Sequence, residues 1–240
     1  MTGLGWDHSA PGWLAHMGEG GDPTRLHIFD APMLDALPET GRALDIGCGE
    51  GRFCRMMRAR GLDPVGLDPT QKLLEAARQK DPESTYVEGR AEALPFEDAT
   101  FDVAVFYFSL IDIPDMRAAI AEAARILRPG GRVLIANLHS FVTASPPSRA
   151  DEKSLWIEKD GQRLYMGIDE MMTERDVVFA WGDIRIVNHH RPLSAYMTAL
   201  LNAGLTLRQF TDPPYTGPDP DFRRNFNRMP WAFQMVWDKT

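Results

Sequence analysis

The residues best placed for chemistry are gathered in Leu44-Asp45-Ile46-Gly47-Cys48-Gly49-Glu50-Gly51, an apolar run that ends in three alternating glycines. Glycine at a strand-to-helix turn lets the backbone pass close to a bound molecule, and the helix that follows offers unpaired N–H groups. The spacing is G-x-G-x-G, and Arg52 stands where a dinucleotide fingerprint needs its third glycine. Asp45 lies two residues ahead of the first glycine, and Asp68 closes the next apolar run, PVGLD. A carboxylate at the end of that second run can accept both hydroxyls of a ribose. A carboxylate beside the glycine turn would repel a pyrophosphate but can hold an ammonium group, directly or through water.

S-adenosylmethionine carries an α-ammonium, a ribose and no phosphate, so it suits both acids; a tight turn with a buried, capped Asp45 is the alternative. Candidate proton acceptors follow later apolar runs: Asp112 in YFSLID, His139 behind RVLIANL, and His190 in His189-His190-Arg191. Methyl transfer from a sulfonium is an in-line displacement served by orientation and desolvation, so no catalytic triad is expected. The histidines lack metal-ligand spacing with each other and with the acids, so no metal is expected either. Near the start, Arg25 in Asp22-Pro23-Thr24-Arg25 precedes a short helical stretch. Trp6 and Trp13 can close an apolar lid or simply dock the N-terminal segment. Seven aromatic and methionine residues from Trp156 to Trp181 suit an adaptable apolar pocket or a small core of their own.

The elements that must position these groups follow the pattern of a parallel sheet flanked by helices. Strands are predicted at Arg42–Ile46, Pro64–Asp68, Thr85–Glu88, Phe101–Phe106 and Arg132–Leu138, with helices at Arg52–Arg60, Thr70–Lys80 and Asp115–Leu127. Pro129-Gly130-Gly131 is the expected stop for the last of these. Such a half of a doubly wound sheet holds its ligand beyond the carboxyl ends of the strands. After Leu138 the pattern changes. A Ser- and Pro-rich loop (Ser140–Arg149) leads to hairpins over Leu155–Ile168 and Val177–Asn188, turning at Asp160-Gly161 and Gly182-Asp183. A helix over Pro192–Ala203 and strands over Leu205–Phe210 and Trp231–Trp237 complete the chain. The expected layout is one α/β domain: an N-terminal lid with helices (1–40), a cofactor-binding core (41–138), an antiparallel cap insertion after the fifth strand (139–191), and a last helix with two strands (192–240).

Composition narrows the class. The chain has 240 residues, with 26 Lys and Arg against 34 Asp and Glu, for a net charge of −8. That balance opposes a surface built for phosphate backbones, so no nucleic-acid partner is expected. No apolar run approaches the length of a membrane helix, and the N-terminus lacks the basic and apolar regions of a secretion signal. Two cysteines on one local segment suggest no disulfide framework, which makes a reducing cytoplasm the expected location. The oligomeric state is not readable.

LDIGCGEGRF, VGLDPT, EGRAEALPFEDATFDVAV and ILRPGGRVLIAN, in that order, resemble the motifs of class I S-adenosylmethionine-dependent methyltransferases. The likeness is closest to the small-molecule branch that includes ubiquinone- and menaquinone-biosynthesis enzymes. It spans Thr40 to Leu138 strongly and the C-terminal elements loosely. It implies a Rossmann-like α/β fold, a seven-stranded and mostly parallel sheet with helices on both faces, and S-adenosyl-L-methionine as cofactor, leaving S-adenosyl-L-homocysteine. By the same resemblance, Gly47, Gly49 and Asp45 face the methionine part, Asp68 holds the ribose, and Pro69 packs beside the adenosine. Arg90-Ala91-Glu92 matches the segment bordering adenine, with Arg90 where the family usually has Asp, so Glu92 or backbone is left to recognise the base. The Phe106 carbonyl matches the position that meets the ammonium, and Arg25 is a candidate for the cofactor carboxylate. The implied acceptor is an oxygen or nitrogen of a small organic molecule. A tRNA or protein acceptor, a catalytically silent cofactor-binding scaffold and a nicotinamide dehydrogenase are the competing readings. Asp212-Pro213-Pro214-Tyr215 has the letters of an adenine-N6 DNA methyltransferase motif, but it does not follow the fourth strand and is read as a turn.

Overall fold

The computed structural model describes residues 3–18, 21–144, 156–160 and 162–240. Helix α1 (Trp6–Met17) is followed by a π-helical turn at Arg25–Phe29 and by α2 (Asp30–Asp35). Next come β1 (Arg42–Ile46), α3 (Arg52–Ala59), β2 (Asp63–Asp68), α4 (Gln71–Lys80), β3 (Thr85–Glu88) and β4 (Phe101–Tyr107). A 3-10 turn at Leu110–Asp112 leads to α5 (Met116–Ile126), β5 (Leu127–Leu138) and the short α6 (Ser140–Thr143). Two hairpins follow, β6 (Trp156–Lys159) with β7 (Gln162–Met166), and β8 (Arg175–Trp181) with β9 (Ile184–His190). The chain closes with α7 (Leu193–Asn202), β10 (Leu205–Thr211), α8 (Pro220–Phe226) and β11 (Ala232–Lys239).

Seven strands form one sheet in the order β10-β11-β5-β4-β1-β2-β3. Strands β1 to β5 pair in parallel, and β11 joins β5 and β10 antiparallel. This is the Rossmann-like arrangement of class I methyltransferases. Both faces are covered, so strand residues are apolar in either direction. Leu44, Ile46, Phe106 and Ile135 face the layer that holds Met116 and Ile120 of α5 and Tyr196 and Leu200 of α7. Ala43, Val103, Val105 and Leu134 face the opposite layer, with Met33, Phe53, Cys54 and Leu74. The two-residue period of β1 therefore turns Asp45 toward α3. β1 pairs in parallel with both β2 and β4, so the strand order switches sides between β1 and β4, which opens a crevice beyond their carboxyl ends.

Three local readings change. Strand β5 begins at Leu127, so Pro129-Gly130-Gly131 lies within it, as an irregularity where the pairing jumps from Phe101↔Leu127 to Val103↔Arg132. The expected loop Ser140–Arg149 opens with α6, and its residues after Ala144 lie outside the described ones, as do Leu155 and Gly161 of the first hairpin. Helices α1 and α8 escape a periodicity reading: Pro11 sits inside α1, and α8 is seven residues long, set by Asp219 accepting from the Asp221 and Phe222 N–H groups. Among the described residues no helix is long and apolar enough to cross a membrane.

Candidate active site

A cavity of about 150 Å³ lies in the crevice, beneath α1. Its floor is the turn after β1. Gly47 N and Cys48 N donate to Leu67 O at 2.7 and 3.0 Å, and Gly49 N donates to Asp68 Oδ2 at 2.8 Å. Gly47 and Gly49 adopt φ of +78° and +55°, in the left-handed region that favours glycine. Their surroundings differ. A Cβ on Gly47 would overlap the Ser109 Cβ, whereas one on Gly49 would meet only Trp13 Nε1, at 3.8 Å. Gly47 is thus required by packing, and Gly49 keeps the floor low.

Asp45, Asp68 and Asp112 share the cavity wall with Glu50, which is held by Arg55 and Lys80. Asp68 is buried and accepts from Gly49 N and from Thr70 N, the latter at 2.8 Å on Oδ1. Burial raises its carboxyl above the ordinary range, and the backbone bonds pull against that. Asp45 is 2% exposed, and its Oδ2 accepts from Cys54 Sγ at 3.6 Å. Its Oδ1 has no hydrogen-bond partner. Burial pushes the Asp45 carboxyl up to about 7. Asp112 accepts from Trp6 Nε1 at 3.1 Å and from Asn188 Nδ2 at 2.5 Å, and burial carries it to about 7 as well.

Two cations complete the wall, both already paired. Arg25 pairs with Asp22 and lies over the rings of Trp13 and Phe108, at 4.9 and 5.0 Å from their centroids. Asp22 feels burial first, but the Arg25 charge and the Thr24 hydroxyl outweigh it and hold the carboxyl at about 2. Arg52 binds both oxygens of Asp30, which also accepts from Tyr107 Oη at 2.7 Å. Trp6 and Trp13 meet edge to face at 5.3 Å and roof the cavity.

A methyltransferase-domain family model matches residues 44–135. An uncharacterized methyltransferase of Synechocystis sp. is 32% identical over 170 residues, 70% of this chain and 74% of that protein. The chain belongs to the class I S-adenosylmethionine-dependent methyltransferases. It is also 36% identical over 120 residues to a malonyl-[acyl-carrier protein] O-methyltransferase of Serratia marcescens, covering 50% of this chain and 45% of the relative. Against a demethylmenaquinone methyltransferase of Renibacterium salmoninarum it is 34% identical over 95 residues, 40% of each chain. The chain thus spans under half the length of these two curated relatives. An S-adenosylmethionine-dependent methyltransferase structure from Mesorhizobium loti superposes with a TM-score of 0.73 at 23% identity, over 92% of this chain and all of that one, a likeness of fold.

The cofactor of this methyltransferase family is S-adenosylmethionine, and the cavity fits it on structural grounds. The partnerless Asp45 Oδ1 is a buried acceptor without a donor, which an ammonium supplies. The floor at Gly49 is open, and no phosphate is needed to explain the turn. The structure brings Arg25, Asp45, Gly47, Gly49, Asp68, Pro69 and Asp112 to this cavity.

Other sequence-derived candidates lie elsewhere. Arg90 pairs with Glu92 at 2.9 Å, Ala91 packs in the core, and none of the three lines the cavity. Phe106 is fully buried, and the chain reaches the cavity only with Tyr107, Phe108 and Ser109. His139 Nε2 donates to Asp212 Oδ1 at 2.7 Å and its ring stacks on Phe141, which draws it away from the crevice. Burial lowers its pKa, partly opposed by Asp212. His190 is 0% exposed, with Nδ1 2.7 Å from the Thr143 hydroxyl and Nε2 donating to Met171 O at 3.1 Å. No described residue of the cap insertion lines the cavity; the insertion contributes through Asn188, which holds Asp112, and through Arg185, whose backbone bonds Gly5 and Ser9. Met17 and Leu73 line the cavity and carry no local signal in the sequence. Sequence carries no signal for the Asp112 clamp, because Trp6 and Asn188 lie 106 and 76 residues from it. Among the described residues no group of three potential ligands could hold a metal.

Proposed function

We propose that this protein moves a methyl group from S-adenosylmethionine to an oxygen or nitrogen of a small organic acceptor. The observation that carries the reading is the pair of buried acids, Asp45 and Asp68, set on either side of the open Gly49 floor. When bound, S-adenosylmethionine supplies a methyl group activated by a positive sulfur. Asp45 Oδ1 would hold its ammonium, Asp68 its ribose, and Arg25 its carboxylate. Trp6 and Trp13 exclude water above the floor, which strengthens each of these interactions. Asp112 accepts a proton from the acceptor atom, and Trp6 and Asn188 fix its orientation. In this reading residues 1–40 form the lid, 41–138 the cofactor core, 139–191 the brace that holds Asp112, and 192–240 the closing helix and strands. The buried free thiols Cys48 and Cys54 support a cytoplasmic location.

Labelled methyl donor incubated with metabolite extracts, followed by mass spectrometry, tests this proposal. It requires a labelled small molecule, and label confined to macromolecules opposes it. Two further outcomes are expected. With S-adenosylmethionine saturating, kcat/KM for the acceptor rises with pH to a plateau above about 7, since Asp112 must be ionised to take a proton. The Asp112→Asn variant should be slow and flat across that range. Gly49→Ala should fold, at a cost of about 1–2 kcal/mol for the left-handed backbone, yet bind the cofactor poorly. Gly47→Ala should instead unfold at lower temperature, which thermal melts distinguish. The similarity to a malonyl-[acyl-carrier protein] O-methyltransferase favours a second reading, an acceptor presented on a carrier.

A further inference from the structure

The charges around the cavity do not balance. Six charged side chains line it: Arg25, Asp45, Glu50, Arg52, Asp68 and Asp112. Both cations are neutralised outside the cavity, Arg25 by Asp22 and Arg52 by Asp30. Glu50 is neutralised too, at 2.8 Å from both Arg55 and Lys80. Asp45, Asp68 and Asp112 make no ion pair among the described residues; their donors are a thiol, two backbone amides, an indole and an amide side chain. The proposed cofactor reading, on which this inference rests, uses Asp45 and Asp68. Asp112 is left for the acceptor, and Trp6, which donates to it, and the apolar Ile113 line the same cavity.

We infer that the acceptor is an amine on an apolar or aromatic carbon skeleton, held as its ammonium by Asp112, and that carboxylate acceptors are rejected. A cation neutralises the third acid, whereas a carboxylate would meet the like charge of Asp112 in a poorly hydrated space. A neutral hydroxyl gains only a hydrogen bond. Asp112 then takes one proton from the ammonium. The freed lone pair forms the new N–CH₃ bond while the S–CH₃ bond breaks and its electron pair stays on sulfur. The methylated amine leaves protonated, and Asp112 returns its proton to water. This charge preference sets the chain apart from its relative named for malonyl-[acyl-carrier protein].

The test uses two probes of matched shape and opposite charge, 2-phenylethylamine and 3-phenylpropionate. Each is titrated calorimetrically, at about pH 8, into the full chain preloaded with S-adenosylhomocysteine. The amine should bind at least about tenfold more tightly than the acid, and Asp112→Asn should shrink that ratio to about twofold. Asn188 can turn its amide to suit the new side chain, and a thermal melt establishes that the variant folds. Should Asp112→Asn not fold, Trp6→Phe, which removes a donor from Asp112 Oδ2 and keeps its charge, must leave the amine preferred. Equal or tighter binding of the acid, failure of both probes to bind at millimolar concentration, or an unchanged preference in Asp112→Asn overturns the inference. Failure of S-adenosylhomocysteine itself to bind overturns the cofactor reading instead, and the preloading step reveals it.

Discussion

Asp45→Asn should make the free protein more stable and nearly abolish cofactor binding. Burial carries the Asp45 carboxyl from an ordinary 3.8 to about 7. A carboxyl raised in the folded state leaves stability intact below its unfolded pKa and erodes it as pH climbs toward the folded one. Here the loss develops between about pH 4 and pH 7 and then levels off. A shift of that size corresponds to about 4 kcal/mol at neutral pH. Asn keeps an acceptor for the Cys54 thiol and carries no charge, so the variant should melt several degrees higher near pH 8 and lose that advantage near pH 4. The ammonium of S-adenosylmethionine, however, then meets an amide. Removing one partner of a buried ion pair costs about 3–5 kcal/mol, so calorimetry should show affinity down by about 100-fold or more. In the parent chain, affinity should fall as pH drops below about 7, because binding must expel the Asp45 proton. Proton release should be visible there as a dependence of binding heat on the buffer, and absent in the variant. A variant that binds normally removes Asp45 from the site.

Asp68→Ala is the second large effect, and it acts on both fold and ligand. Its two oxygens take the Gly49 and Thr70 N–H groups, tying the glycine turn to the start of α4. Truncation leaves both donors without their acceptor, at about 1–3 kcal/mol each where water cannot reach. The melting temperature should therefore fall, and cofactor affinity should drop by at least about tenfold through the lost ribose contact. Asp68→Asn keeps one acceptor for the backbone, so it should recover part of the stability while binding stays weak. Unchanged affinity in both variants, measured below their melting temperatures, would exclude a ribose role for Asp68.

The first three strands were legible because short apolar runs ended in a breaker, β1 at Gly47, β2 at Pro69 and β3 at Gly89. Strands β1 and β3 fall on their predicted bounds, and the glycine turn lies where its spacing places it. What escaped was set by tertiary contact. Asp112 was marked for its position after β4, but its near-neutral carboxyl depends on enclosure by α1 and β9, which no local pattern encodes. His139 looked available because it follows a strand and His190 because it precedes the last major helix within reach of the cap, yet Asp212 and Thr143, distant in sequence, each claim a ring nitrogen. Arg90 and Glu92 matched a family segment by letters but satisfy each other on the surface. The insertion was expected as a cap; its described residues brace the roof through Arg185 and hold Asp112 through Asn188, while α1 roofs the cavity.

A crystal structure with S-adenosylhomocysteine bound is the most direct measurement. The ligand's amino group should lie within hydrogen-bond distance of Asp45 Oδ1, with both ribose hydroxyls on Asp68 and the Gly49 backbone against the ligand. An empty turn after β1, or a ligand whose amino group points away from Asp45, would contradict this account.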